Sequence, residues 1–320
     1  MKGGRLLSIA ILLAAASSAA AADFPDRPIR LIIPFSAGGP TDTAARLIAD
    51  PLQRQLKQSI VLVNMPGGSG VPGVESVVEG PNDGYTLAVG GIAPIVLVPS
   101  ARKLRYDVDK DLVPLGLIWR NSQVLAVRPS LAVDTVAAFV AYAKAKPGEV
   151  TIGSAGVGTV THLANELLQR EAGIRLVHVP YHSTSNSLPD LMGGQIDSLF
   201  GDAVTLKPQI EAGSIKALAI TAAHRSVFLP DIPTMAEAGL PNVQTEVWYG
   251  LFAPAGTPAA VLEKLKSAVQ AAQQDPAFIE SLRNYGIEID GVGSAAFAAF
   301  IKAETERWSP IVKATGISFD

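Results

Sequence analysis

The sequence predicts an α/β protein made of two lobes, each with a mostly parallel sheet flanked by helices. Its 320 residues, 48% of them hydrophobic and 17% charged, exceed one ordinary domain and suffice for two packed cores. Short β-rich runs alternate with longer amphipathic runs, which is typical of parallel strands joined by helices. A Ser-Ala-Gly turn between a strand and a helix occurs twice, roughly 120 residues apart. The two turns indicate the same position in two similar lobes.

The expected strands are short apolar runs, and the expected helices are longer runs with apolar residues near helical spacing. The strands are predicted at Ile29–Phe35, Ser59–Asn64, Tyr85–Gly90, Val124–Val127, Val150–Ser154, Ile174–Val179, Ile196–Phe200 and Ile215–Thr221. The helices are predicted at Thr41–Lys57, Thr135–Lys146, Thr159–Ala172, Pro258–Gln274 and from Ser294 to about Lys313.

The lobe boundaries follow from two expected crossings of the chain, near Trp119–Gln123 and Gln244–Gly250. They divide the chain into a signal segment (1–22), the first part of lobe 1 (23–122), lobe 2 (123–245) and the second part of lobe 1 with the C-terminal helices (246–320). Two crossings would form a hinge that bends without melting either lobe.

The N-terminus has the pattern of a cleaved secretory signal. Lys2 and Arg5 precede the apolar run Leu6–Ala16, and the small residues Ser17–Ala22 end in an A-x-A pattern. The apolar run is too short for a stable membrane anchor, so cleavage near Ala22 is favoured over an uncleaved anchor. The mature chain is therefore expected in the periplasm.

Composition excludes several kinds of site and partner. The chain has no Cys, which excludes disulfides, thiolate nucleophiles, thiolate metal ligands and a lipoprotein anchor. The net charge is −3 and the basic residues are scattered, so nucleic acid is not an expected partner. His178 and His182 stand on either side of Pro180, which excludes a helical metal pair there. We expect no metal and no cofactor.

The sequence also lacks the motifs of the common enzyme classes. It has no G-x-S-x-G elbow and no phosphate-binding G-x-x-x-x-G-K-[ST] loop, and Gly153, Gly156 and Gly158 do not fit G-x-G-x-x-G. The protein is therefore expected not to be an enzyme. One alternative stays open, an exported hydrolase that uses a relay of Ser154, His162 and an Asp.

The two glycine-rich turns, Ser36–Thr41 and Ser154–Thr159, are candidate anion sites. A helix start has unpaired N–H groups and partial positive charge, and glycine lets a ligand approach the backbone. Ligands of open α/β sheets bind at the carboxyl ends of strands, where both turns lie. The hydroxyl groups of Ser36, Thr41, Ser154 and Thr159 would add donors. Either turn alone also fits a plain strand-to-helix connection, and Thr41 or Asp42 and Thr159 fit helix caps equally well.

Other candidates lie at the same expected edge. Gly67 and Gly68 form a third glycine turn, and His162 is either a capping or buried polar residue or a ligand contact. Asp202 either binds a ligand amine or hydroxyl or caps the next helix. Together the candidate ligand-binding residues are Ser36, Ala37, Gly38, Gly39, Thr41, Asp42, Gly67, Gly68, Ser154, Ala155, Gly156, Val157, Gly158, Thr159, His162, Tyr181, His182 and Asp202.

A series of motifs covers nearly the whole mature chain in one order: PDRPIRLIIPFSAGGPTD, VNMPGGSGVPG, NDGYTL, SAGVGTVTHLANEL, VHVPYHSTSNSLPDLMGGQID, IKALAITAAHRS, LPDIPTMAEAGLP and LFAPAGTP. In these motifs the chain resembles the extracytoplasmic receptors of tripartite tricarboxylate transporters, also called Bug receptors. The resemblance implies a two-lobed fold of the periplasmic-binding-protein type (type II-like) that closes on its ligand.

The same resemblance implies a function. A small organic acid would be held through its carboxylate by Ser36–Thr41 and Ser154–Thr159, partly through ordered water. The loaded receptor, a monomer, would deliver it to a membrane permease; a sensor that signals to a membrane kinase is the alternative. The chain departs from the family pattern at Met65, Val71, His182-Ser183 and Gly201-Asp202. Ligand specificity therefore does not transfer from a relative.

Overall fold

The structure, a computed structural model, describes residues 24–287, 289 and 293–315. The signal segment and the cleavage expected near Ala22 lie outside the described residues. The chain divides into two compact units. The first contains the chain up to Ile118, then Tyr249–Ser281 and the segment that ends at Glu306; the second contains Trp119–Trp248, Leu282–Ile289 and the segment from Arg307 onward.

The strands and helices alternate along most of the chain. The strands are β1 (Ile29–Ile33), β2 (Ile60–Asn64), β3 (Thr86–Gly91), β4 (Leu112–Val127), β5 (Thr151–Ser154), β6 (Val177–Pro180), β7 (Ser198–Asp202), β8 (Lys216–Ile220) and β9 (Glu246–Pro254). The helices are α1 (Pro40–Leu56), α2 (Val71–Val78), α3 (Val98–Ala101), α4 (Val108–Asp111), α5 (Val136–Ala145), α6 (Val160–Ala172), α7 (Thr184–Gly193), α8 (Ala203–Glu211), α9 (Ala259–Gln273), α10 (Pro276–Asn284) and α11 (Ser294–Thr315). A short 3₁₀ turn, Gly68–Gly70, precedes α2, and a π turn, Ala93–Leu97, precedes α3.

In the first unit, β1 is the central strand of a mainly parallel sheet. It pairs with β2 on one side and β3 on the other, both parallel, and β3 pairs with β9 antiparallel. Four of the five residues of β1 are buried, as expected for a strand covered on both faces. Helix α1 follows β1 and buries the stripe Ala44, Ile48 and Leu52, at helical spacing.

In the second unit, β5 is the equivalent central strand. It pairs parallel with β6 and with β7, while β4 pairs antiparallel with β7 and β8. Helix α6 follows β5; it begins after the N-cap Thr159 and ends at Gly173, whose left-handed conformation suits glycine. Each unit thus places a strand, a glycine-rich turn and a long helix at the middle of its sheet.

The course of the chain differs from the sequence-based expectation at two long strands. The strand expected at Val124–Val127 begins at Leu112, and the stretch Glu246–Pro254, expected as a crossing followed by helical structure, is strand β9. The unit boundaries fall inside these strands, after Ile118 and after Trp248. Both strands are apolar and buried over most of their length, so the chain stays extended where a loop was expected.

The C-terminal part also divides differently. The sequence-based division put all of 246–320 in the first lobe, whereas the structure places Leu282–Ile289 and the chain from Arg307 in the second unit. The last turns of α11 explain this, because Pro310 and Ile311 line a cavity of the second unit beside Leu167. Within the described residues, no helix combines the length and the apolar character needed to cross a membrane.

Gly250 in β9 offers a test of packing in the first unit. A Cβ added there would overlap the ring of Phe297, which is fully buried. We expect Gly250→Ala to lower the free energy of unfolding by about 1–3 kcal/mol, because overpacked cores shift side chains and backbone. Urea unfolding followed by circular dichroism measures the change.

The double variant Gly250→Ala/Phe297→Leu is the control for this prediction. The smaller side chain makes room for the methyl group, so the double variant should lose less stability than the two single losses added together. Strict additivity of the two losses would contradict the assigned contact.

Candidate functional site

The turn between β1 and α1 is organised around Gly38 and Asp42. Gly38 adopts a φ of +80°, and its N–H donates to Asp42 Oδ2 at 2.9 Å. The Asp42 carboxylate is buried and accepts two bonds from the Arg46 guanidinium, at 2.8 and 3.2 Å. Asn64, the last residue of β2, donates to Asp42 Oδ1 at 3.1 Å and to the Phe35 carbonyl at 3.0 Å. The turn is thus held by side chains from its own helix and from the neighbouring strand.

These contacts fix the charge of Asp42. The hydrogen bond from Arg46, with those from the Gly38 N–H and Asn64, lowers the pKa of the Asp42 carboxyl to about 2, against the opposing effect of burial. Asp42 is therefore ionised at neutral pH and balanced by Arg46. The helix N-cap is Gly39, and no side chain caps it. Asp42 has a structural role in the turn, and the expectation that Thr41 or Asp42 is the N-cap is wrong.

The turn between β5 and α6 has the same construction with a different side chain. Gly158 adopts a φ of +75°, and its N–H donates to His162 Nδ1 at 3.1 Å. Thr159 is the N-cap: its Oγ1 accepts from the His162 N–H at 3.4 Å and donates to the Gly156 carbonyl at 2.7 Å. The Ala155 N–H donates to Thr161 Oγ1 at 2.8 Å.

Backbone hydrogen bonds establish how the two turns correspond. Gly39 N–H donates to Ser36 O at 3.4 Å, and Thr159 N–H donates to Gly156 O, also at 3.4 Å. Ser36 is therefore equivalent to Gly156, and Gly38 to Gly158. The sequence comparison matched Ser36 with Ser154 and is two residues out of register, because identical letters, Ser-Ala-Gly, occur earlier in the second turn. The equivalent of Thr41 is Thr161, and both are buried.

The equivalence extends one helical turn further, with opposite charges. Arg46 lies four residues after Asp42, and Glu166 lies four residues after His162, with its Oε1 3.7 Å from His162 Nε2. In each unit a glycine N–H donates to a first-turn side chain, and a further side chain faces that group from the next turn of the helix: Arg46 pairs with the Asp42 carboxylate, and Glu166 lies beside the His162 ring. The second turn achieves this with an imidazole in the place of the carboxylate that binds the glycine amide of the first turn.

His178 completes the second turn, and sequence reasoning missed it as a site residue. Its ring stacks on His162 with centroids 4.1 Å apart and planes 6° apart, and its Nε2 lies 2.6 Å from Ser154 Oγ. Burial, with the neighbouring His162, lowers the pKa of His178 to about 4, and burial lowers the pKa of His162. Both rings are therefore neutral near pH 7. In the sequence, the only sign of this role was that His178 is a polar residue within a predicted strand.

The remaining candidates divide into exposed groups and groups with structural partners. Ser36, Ala37, Gly38 and Val157 are exposed, as are Gly67, Gly68 and His182. Ser154 is fully buried, and the Tyr181 hydroxyl donates to Asp190 at 2.7 Å. Burial, together with this hydrogen bond, raises the pKa of Tyr181 to about 12. In each unit these residues lie at the carboxyl ends of the parallel strands.

Asp202 occupies the N-cap position of α8, but its side chain makes no capping hydrogen bond. It accepts instead from Asn121, Gln123 and Thr184, at 3.3, 3.3 and 3.1 Å. The interpretation of Asp202 as a helix cap is therefore wrong.

The hydrolase alternative does not have its predicted geometry. Ser154 contacts His178 rather than His162, and the Gly158 N–H occupies His162 Nδ1. The part of the chain that the structure describes contains no group of three His, Asp or Glu side chains placed to hold a metal ion.

The depressed pKa of His178 predicts a pH dependence of stability. The folded protein binds this proton more weakly than the unfolded chain, whose ordinary value is 6.5, so the free energy of unfolding falls as the pH drops from 6.5 towards 4. We expect His178→Gln to reduce this loss, because Gln does not titrate. The urea unfolding midpoints at pH 7 and pH 4.5 measure this loss of stability. His224→Gln, which replaces an exposed histidine, is the control and should lose stability as the wild type does. Equal pH dependence in wild type and His178→Gln would contradict the assignment.

The chain is similar to known proteins over nearly its whole length. The family described as tripartite tricarboxylate transporter family receptor matches residues 44–317. Protein BugT of Bordetella pertussis is 35% identical over 321 residues, which cover 98% of this chain and 98% of BugT.

Two solved structures are also similar. One is an R. palustris protein with adipate, 35% identical, with a TM-score of 0.78, covering 92% of this chain and 99% of that one. The other is MatC from Rhodopseudomonas palustris with bound malate, 32% identical, with a TM-score of 0.75, covering 90% and 100%. The chain therefore belongs to the tripartite tricarboxylate transporter receptor family of periplasmic solute-binding proteins and shares their mixed α/β fold.

Proposed function

We propose that this protein binds a small organic carboxylate reversibly in the periplasm and delivers it to a membrane permease of the tripartite tricarboxylate type. The observation that carries the proposal is the pair of equivalent strand-turn-helix segments, one in each unit, with helix-start amides at the carboxyl edge of a parallel sheet. Such amides favour an anion. The adipate and malate found in two relatives are carboxylates, which supports the ligand class.

The donors available to this carboxylate are mainly backbone amides. The Ser154 hydroxyl is engaged by His178, and the Thr159 hydroxyl by the Gly156 carbonyl. The middle of each turn, at Ala37 and at its equivalent Val157, is exposed. We therefore assign the contact to the backbone around Ala37 and Val157, with the Ser36 hydroxyl and the glycine turn at Gly67 and Gly68 as further contacts.

The protein would act without catalysis. The serine that has a histidine partner, Ser154, is fully buried, so a substrate cannot reach its Oγ in this arrangement. The binding energy would be used only to hold the ligand. The ligand would shift the receptor's conformational equilibrium only because it binds one conformation more tightly than the other. A monomer suffices for this role, and export with cleavage near Ala22 would place it in the periplasm.

Two matched substitutions test the proposal. We expect Ala37→Asp and Val157→Asp each to weaken carboxylate binding tenfold or more, because each adds a negative charge beside the assigned amides; tenfold corresponds to about 1.4 kcal/mol. A thermal-shift screen of organic acids first identifies a binder, since ligands raise the melting temperature by mass action. Isothermal titration calorimetry with that acid then gives Kd for each variant.

The controls carry the same charge change elsewhere. The first control is Ala101→Asp, at the exposed end of α3. The second is Val227→Asp, because Val227 is 59% exposed, comparable to Val157 at 63%. Both controls should bind like the wild type. If only one of the two turn variants loses affinity, one ligand is not shared by both turns; if no carboxylate raises the melting temperature, the ligand class is wrong.

A further inference from the structure

A second polar cluster lies beside the turn of the second unit. Strands β5 and β7 pair with Gly153 opposite Leu199, and Asp202 lies three residues beyond Leu199. The second turn follows the end of β5, and Asp202 is the last residue of β7, so both lie at the carboxyl edge of the same parallel strand pair. Antiparallel strand β4 places Gln123 opposite Asp202.

The cluster consists of Asp202, Asn121, Gln123 and Thr184. Asp202 Oδ1 accepts from Asn121 Nδ2 and Gln123 Nε2, both at 3.3 Å, and Oδ2 accepts from Thr184 Oγ1 at 3.1 Å. Gln123 is fully buried and Asn121 and Thr184 are buried, whereas Asp202 is partly exposed. Below them lies an apolar core that includes Leu199 and Leu206.

The cluster has more acceptors than donors. Gln123 Oε1 is buried and has no hydrogen-bond partner among the described residues. The Asp202 carboxyl accepts three side-chain hydrogen bonds, all of them rather long, at 3.1–3.3 Å. A buried oxygen without a donor costs about 1–3 kcal/mol. A bound molecule would therefore be stabilised here if it supplied a donor, and a second carboxylate would be repelled.

We propose that Asp202, the partly exposed member of the cluster, selects ligands that carry a hydroxyl or amino group besides the carboxylate, so that the receptor prefers hydroxy or amino acids to simple mono- and dicarboxylates. This inference rests on the proposed function, since the second turn holds the carboxylate and the cluster receives the donor group.

The electrostatics of Asp202 agree with this role. Burial raises the pKa of its carboxyl, and the hydrogen bonds from Gln123 and Thr184 offset part of that effect; no Lys or Arg of the described residues contributes. A carboxylate without a counter-cation gains most from a ligand ammonium or hydroxyl.

Matched acids test the inference directly. Calorimetry with butyrate, 3-hydroxybutyrate, 3-aminobutyrate and succinate, and with benzoate, 4-hydroxybenzoate and 4-aminobenzoate, compares ligands that differ in one group. We expect at least one donor-bearing acid to bind tenfold or more tightly than its plain parent and than succinate. Comparison of the hydroxy-substituted with the amino-substituted acids shows which donor group the receptor prefers.

Asp202→Asn should weaken the preferred donor-bearing acid tenfold or more and reduce its advantage over the parent, because Asn replaces one acceptor with an N–H donor. The control is Glu211→Gln, which removes a charge at the far end of α8, outside the cluster. It should change neither the affinity for the donor-bearing acid nor the advantage of that acid over its parent. Thermal unfolding of the ligand-free variants shows whether they fold. If Asp202→Asn does not fold, Thr184→Val replaces it; this variant removes a protein donor from Oδ2 and leaves that oxygen free for the ligand, so it should increase the advantage of the donor-bearing acid over its parent.

The outcomes distinguish a failure of donor selection from a failure of the proposed carboxylate-receptor function. Parent acids that bind as tightly as donor-bearing ones, or an Asp202→Asn variant that keeps the full preference, would overturn the selection of donors and leave the carboxylate receptor intact. If none of these acids binds and no other organic acid raises the melting temperature, the proposed function fails, and this inference fails with it.

Discussion

The structure of both turns depends on one interaction, a hydrogen bond from a left-handed glycine amide to the side chain four residues later. Gly38 donates to Asp42, and Gly158 donates to His162. The bond ties the exit of a central strand to the first turn of a long helix, so the turn has a defined shape before any ligand arrives. Arrangements that are formed in advance lose less entropy on binding.

This interaction also limits which amides can serve a ligand. The two glycine amides satisfy their own turn, and neighbouring hydroxyls are used in the same way. The glycines therefore matter first for conformation, because a positive φ strains other residues. Under the proposed function, recognition would fall to the exposed backbone between the strand end and the glycine.

The sequence predicted the fold class and the location of the turns because both follow from local patterns. Apolar periodicity marks strands and helices, and glycine followed by Thr marks a helix start. Long strand β4 was predicted only in part, since Pro114, Gly116 and Arg120 interrupt its apolar run. Arg46 and Glu166 were readable from the spacing of four residues within a helix. The roles of Asn64 and His178 in the turns could not be predicted, because these residues come from neighbouring strands. The periodicity of a single sequence does not reveal which strands pair.

The use of a histidine in one turn and an aspartate in the other gives the two halves different responses to acid. Arg46 helps to keep Asp42 an anion down to a pH of about 2, whereas the ring of His162 gains a proton on milder acidification. A protonated Nδ1 no longer accepts the Gly158 N–H. Moderate acidification would therefore release the glycine amide of the second turn, while the first turn keeps its carboxylate contact.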